Sequence, residues 1–158
     1  MSFGCPPGKG GDMQTDTPQV GPSGIRVFLV EDNAEHAFIA LTIVRQLLGG
    51  MAEVVVAESA DEAIGLIAQF TEGDRPDLIM VDLRLPDDGG FGVLSTIHEN
   101  SPCARVPIFV ITSSLYDRDI ALSYELGASA VLSKPLSRAS LREELTRVGA
   151  LPPRALPA

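Results

Sequence analysis

The chain has 158 residues, 45% of them apolar, which is about the size of one ordinary domain with one core. Lys and Arg total 12 against 21 for Asp and Glu, a formal charge of -9, so the affinity of basic domains for phosphate backbones is not expected and nucleic acid is set aside as a direct partner. Cys5 and Cys103 are far apart and give neither a disulfide framework nor a zinc spacing, and no signal peptide or run of ~20 apolar residues is visible, so a soluble protein of the reduced cytoplasm, without membrane contact, is expected.

Residues 1–24 contain six glycines and four prolines among scattered apolar residues, which predicts a disordered N-terminal arm. The first buried strand is predicted over Ile25 to Val30 and ends in the acids of "VFLVEDN". Asn33 can cap a helix to Leu48, which Gly49 stops. Its residues 38, 41, 44 and 48 have the spacing of a core face, and Ile39, Ile43 and Leu47 form a second stripe, read either as a broad buried front or as a docking patch for a helical kinase domain. The second strand is predicted over Glu53 to Ala57. Ser59 and Glu62 then have capping-box spacing before the helix "AIGLIAQF".

A third strand, Asp77 to Leu83, precedes a helix from about Gly90 to Asn100, and Cys103 is read as a loop thiol. A fourth strand, Val106 to Thr112, precedes a helix from about Tyr116 to Leu126 with Gly127 as its stop. Tyr116, Ile120 and Tyr124 recur there at helical spacing, as a core stripe or a homodimer contact. The fifth strand, Ala130 to Ser133, leads to a helix capped by Ser137 and ending near Val148. Pro152 and Pro153 close the pattern, leaving 149–158 as a flexible tail and 25–148 as the domain. Strand runs rich in Val, Ile and Leu, each followed by a helix, predict an α/β fold: a doubly wound five-stranded parallel sheet with five helices, its strands buried on both faces.

In such sheets ligands bind beyond the carboxyl ends of the strands. Those ends carry Glu31 and Asp32, Asp82, Thr112 with Ser113, and Lys134 with Pro135. Each has an ordinary explanation taken alone: an acid after a strand is often the first solvated loop residue, Thr112 a strand-end threonine, Lys134 a surface lysine. Asp82 is harder to explain so, because it interrupts "IMVDLRL" and an unpaired, partly buried carboxylate is costly. Together they suit one chemistry. An oxygen-only acidic cluster fits Mg²⁺, beside which a carboxylate can attack phosphorus to form an acyl phosphate, with Lys134 and Thr112 offsetting charge on the phosphoryl oxygens. His36 and His98 have no matching ligands and receive no role.

This set resembles the response-regulator receiver domains of two-component signalling over roughly Ile25 to Val148. The resemblance implies a flavodoxin-like strand order 2-1-3-4-5, Asp82 as phosphoacceptor, Thr112 as switch hydroxyl, Lys134 before an often cis Pro135, and Mg²⁺ held by Glu31 or Asp32, Asp82 and the backbone carbonyl of Arg84. Pro86 and Gly90 stand where the family's loop carries proline and glycine. The implied partner is a sensor histidine kinase or a histidine phosphotransfer protein, and "VEDN", "ITSS" and "LGASAVLSKP" resemble the stand-alone receivers of bacterial phytochrome kinases. Arg84 and Ser114 occupy positions that in the family influence phosphate loss. Val131 replaces the aromatic that many receivers carry, so the signal is expected to pass through the loop after Thr112 and the helix "DRDIALSYEL". With no length left for an output domain, the expected activity is a phosphorylation switch or relay acting through protein contacts, with the chain not itself an enzyme on other substrates. A phosphate-independent scaffold is one alternative. Another is a phosphatase resembling the haloacid dehalogenases, although these need a second Asp where Arg84 stands.

Overall fold

The computed structural model describes residues 24–149 apart from Met51, Asn100 and Leu115, with the backbone alone at Ser101. The predicted arm and tail lie outside the described residues, save for Gly24 and Gly149. Five strands, β1 (Arg26–Val30), β2 (Glu53–Ala57), β3 (Leu78–Asp82), β4 (Ile108–Thr112) and β5 (Ala130–Ser133), alternate with five helices, α1 (Ala34–Leu48), α2 (Ala60–Gln69), α3 (Gly89–Glu99), α4 (Asp117–Glu125) and α5 (Arg138–Arg147). Short 3₁₀ turns at Pro86–Asp88 and Ser101–Cys103 interrupt the alternation. All strands are parallel in the order β2-β1-β3-β4-β5, as the resemblance implies.

The two-residue period of a strand divides its side chains between two cores. Val27, Leu29, Met80 and Phe109 pack with Val44, Leu47 and Leu48 of α1 and Leu141 and Leu145 of α5. Phe28, Val30, Ile79, Val81 and Val110 pack on the other face with Ala63 and Ile67 of α2 and Val93, Leu94 and Ile97 of α3. Each fully buried Leu, Ile or Phe contributes about 1.5–3 kcal/mol, so these two layers fix the sheet between its helices.

The caps follow the sequence. Asn33 accepts N–H bonds from Glu35 and His36 at 2.9 and 3.0 Å, and Gly49 closes α1 at φ 92°. Ser59 accepts from Glu62 N–H, whose carboxylate reaches Glu58 N–H, and Ser137 caps α5.

Four expectations need correction. The buried face of α1 is Ala40, Val44, Leu47 and Leu48, while Phe38 and Ile39 lie on its outward side, 68% and 43% exposed. β2 is an edge strand with alternating exposure, and Val55 faces solvent, so burial on both faces fails there. Tyr116 and Tyr124 are exposed rather than core, because α4 buries only Ser123. Cys103 is fully buried in the second core, inside a 3₁₀ turn, and burial pushes its thiol pKa up.

Candidate functional site

The carboxyl ends of β1, β3, β4 and β5 bring the sequence-predicted residues to one edge of the sheet. Glu31 still follows the β1 ladder, donating its N–H to Ala57 O at 3.0 Å, and this holds its carboxylate 4% exposed. Its Oε2 accepts the Asn33 N–H at 3.1 Å. Asp32 faces solvent beside it. Asp82 is the last residue of β3, paired with Ile111 of β4 and 3% exposed; its Oδ1 accepts the Arg84 N–H at 2.9 Å.

Gly90 makes that position of Asp82 possible. A Cβ there would lie 2.5 Å from Leu83 O and 2.8 Å from Asp82 O, so α3 can start against the end of β3 only with glycine at its second residue. On the next strand, Thr112 is 1% exposed and its Oγ1 accepts the Ser114 N–H at 2.9 Å. Lys134 follows β5, bonds through its N–H to Thr112 O at 2.9 Å, and precedes Pro135 in a cis peptide bond.

Side chains from three of these ends meet. Lys134 Nζ donates to Glu31 Oε1 at 2.9 Å and to Asp82 Oδ2 at 3.1 Å. Oxygens of Glu31, Asp32 and Asp82 lie within 4.8 Å of one another. Three carboxylates against one ammonium leave excess negative charge. Burial pushes the Glu31 carboxyl above its ordinary value of 4.5; the Lys134 and Asn33 hydrogen bonds oppose this and neighbouring Asp82 reinforces it. Oxygen-only ligands, two buried and one at the solvent edge, suit a hard cation that retains part of its water. A cation there relieves the repulsion between Glu31 and Asp82. The surrounding cleft, about 520 Å³, has an apolar wall that includes Ile39, Ile111 and Leu136.

Thr112 reaches the same edge, with its hydroxyl engaged by the Ser114 N–H. Arg84 contributes through its main chain while its side chain is exposed. Sequence reasoning missed one participant, His36, and the partner of another, Ser114. His36, given no role, has Nδ1 3.0 Å from Lys134 Nζ. Ser114 is more than a modulator by position: its hydroxyl donates to Asp119 Oδ2 of α4 at 2.7 Å, and it is 4% exposed. The sequence signal for Ser114 is a hydroxyl five residues before an acid in the first turn of a helix. For His36 there is none, since its contact spans 98 residues.

Residues 27–146 match the family described as the response regulator receiver domain. A probable methanogenesis regulatory protein, FilR2 of Methanothrix harundinacea, is 29% identical over 124 residues, which are 77% of this chain and 79% of that protein. The chain spans between 7% and 58% of the length of seven further curated relatives. Among solved structures, the phosphorylated cyanobacterial phytochrome response regulator RcpA superposes with a TM-score of 0.64 at 30% identity, covering 79% of this chain and 91% of that one. The receiver domain of a Pseudomonas aeruginosa sensor histidine kinase, with magnesium coordinated in its active-site cleft, gives 0.66 at 28% identity, covering 78% and 96%.

Proposed function

The chain belongs to the response regulator receiver domain family, and we propose that Asp82 is its phosphoacceptor, taking the phosphoryl group from a phosphohistidine of a partner kinase. The observation that carries this reading is Asp82 itself: a carboxylate 3% exposed at the end of a core strand, hydrogen-bonded on both oxygens and within 4.8 Å of two further acids. A side chain placed so at a structural cost suits a nucleophile. An Asp82 oxygen forms the O–P bond as the donor's N–P bond breaks, and the partner's imidazole leaves. Glu31, Asp32, Asp82 and the Arg84 carbonyl would hold Mg²⁺, which when bound would supply charge neutralisation at the phosphoryl oxygens. Lys134 turns one donor to a phosphoryl oxygen, and Thr112 presents its hydroxyl proton to another.

The donor in this reading is a sensor histidine kinase of the phytochrome type, or a histidine phosphotransfer protein; the similarity to RcpA supports the first. Exposed Ile39, which lines the cleft, and its exposed neighbour Phe38 on α1 form the docking patch for a kinase helix. Tyr116 at the N-cap of α4, with Leu122 and Tyr124 on it, forms the face that responds, by homodimer contact or by contact with a target. The functional domain spans 25–148, and among the described residues no helix is long and apolar enough to cross a membrane; we place the protein in the cytoplasm. The phosphatase alternative lacks support, because Arg84 stands exposed where the second acid is required.

Incubation with acetyl phosphate and Mg²⁺ followed by intact-mass measurement tests the proposal. One phosphoryl adduct is expected on the wild type and none on Asp82→Asn. An adduct that persists in Asp82→Asn moves the acceptor elsewhere, and a wild type that takes none removes the phosphoacceptor reading.

A further inference from the structure

An ammonium carries three N–H donors and no lone pair. Around Lys134 Nζ stand three acceptors: Glu31 Oε1 at 2.9 Å, His36 Nδ1 at 3.0 Å and Asp82 Oδ2 at 3.1 Å. The three contacts therefore use every donor. An ammonium cannot accept, so a hydrogen bond here requires Nδ1 to accept and the ring proton to sit on Nε2. The Lys134 side chain is 15% exposed, so most of its surroundings are protein groups, the imidazole among them. Nδ1 also lies 3.9 Å from Glu31 Oε2, beyond hydrogen-bond reach, and is already engaged, so that approach is proximity and not an ion pair. His36 is itself anchored: its main-chain N–H is held by the Asn33 cap at 3.0 Å in the first turn of α1.

We propose that His36 is a positioning residue for phosphoryl transfer. With Glu31 it clamps the Lys134 ammonium so that the remaining donor is aimed at Asp82 Oδ2; the inference rests on Asp82 being the phosphoacceptor and adds a residue to that same site. The His36 side chain is itself 46% exposed, but with two of its donors engaged by Glu31 and His36 the ammonium keeps less rotational freedom, so the third needs only a small turn from Asp82 Oδ2 to meet a phosphoryl oxygen there. α1 thereby contributes to the chemistry as well as to the core. An exposed histidine resting on a lysine by chance would share the distance but none of the consequences.

Initial rates of phosphorylation by acetyl phosphate at saturating Mg²⁺ separate these cases. His36→Ala is expected to slow the wild type roughly tenfold, the scale of one lost hydrogen bond to a charged group. His36→Gln, whose amide oxygen can accept from Lys134, should restore most of the rate. In a Lys134→Met background the His36→Ala change should add nothing, because the two residues act as one unit. A His36→Ala rate within about twofold of wild type, a loss that glutamine does not restore, or additive losses with Lys134→Met would each overturn the proposal. Nitrogen NMR of the His36 ring gives a second, phosphorylation-independent reading: an unprotonated, hydrogen-bonded Nδ1 whose signal moves on Lys134→Met. Should the wild type accept no phosphoryl group, the phosphoacceptor reading fails while this signal still decides whether His36 holds Lys134; a ring signal indifferent to Lys134→Met sinks the clamp even if phosphorylation proceeds.

Discussion

On the β1 side of the cleft, Lys134 joins Glu31, Asp82 and His36 by contacts of 2.9 to 3.1 Å, whereas on the β4 side a main-chain N–H and a hydroxyl link Thr112 to Ser114 and Ser114 to Asp119 of α4. The first side is a desolvated cluster of charges, so its energy depends on ions and protons. The second depends on alignment, and it runs from a buried threonine to a helix that buries one residue, Ser123. A helix with so little in the core can shift at low cost. In the proposed function, capture of the phosphoryl group belongs to the first side and the response to the second, which suits a domain whose Val131 offers no aromatic ring to rotate.

The largest effect is expected where charge is buried. Lys134→Met leaves Glu31 and Asp82 facing each other without their shared donor. At neutral pH and with divalent cations chelated, unfolding by urea should show a loss of about 3 kcal/mol. Mg²⁺ should return much of it, since an ion bound by the native state alone stabilises that state by mass action. A variant as stable as wild type in chelator would show that the lysine is not what balances the acids.

The sequence made the charged side legible and left most of its partner hidden. Strands buried on both faces are written as Val, Ile and Leu runs, and the polar residues that end or follow those runs mark the site: Glu31 and Lys134 just after β1 and β5, Asp82 and Thr112 as the last residues of β3 and β4; β1, β3 and β4 begin only one or two residues inside their predicted spans. Periodicity also shows which residues share a helix face, but not whether anything covers that face. Phe38 on α1, Tyr116 at the N-cap of α4 and Tyr124 on α4 are apolar or aromatic at helical spacing, yet they lie exposed because among the described residues no element packs over them. β2 reads like its neighbours and differs only in standing at the sheet's edge. The His36 contact to Lys134 arises from the fold's bringing α1 against the end of β5, and local patterns contain no trace of it.

A smaller change should come from the β4 side. Asp119→Ala removes the acceptor of the Ser114 hydroxyl, a bond whose carboxylate is only partly exposed, and about 1 kcal/mol of stability should go with it. The loss should also be local. Hydrogen exchange should quicken in α4 and in the loop after Thr112 while α1 and β1 keep their protection. Equal acceleration on both sides of the cleft would erase the division drawn between them.

The smallest effect concerns protons. Burial raises the Glu31 carboxyl above 4.5, so between that value and its raised native value the folded chain binds more protons than the unfolded one. Stability through Glu31 is therefore fullest below pH 4.5 and declines as pH rises through the raised value, opposite to a carboxylate whose native pKa is depressed. Without divalent cations, urea midpoints of wild type relative to Glu31→Gln should fall as pH climbs through this window, and parallel profiles would show that Glu31 titrates alike folded and unfolded. Mg²⁺ should reverse the slope, because it selects the ionised carboxylate and its binding expels the proton. On the β4 side the link between Thr112 and Ser114 joins a hydroxyl oxygen to a main-chain N–H and lies outside the acidic cluster, so Mg²⁺ added at fixed pH should leave its hydrogen-exchange protection unchanged while it stabilises the β1 side.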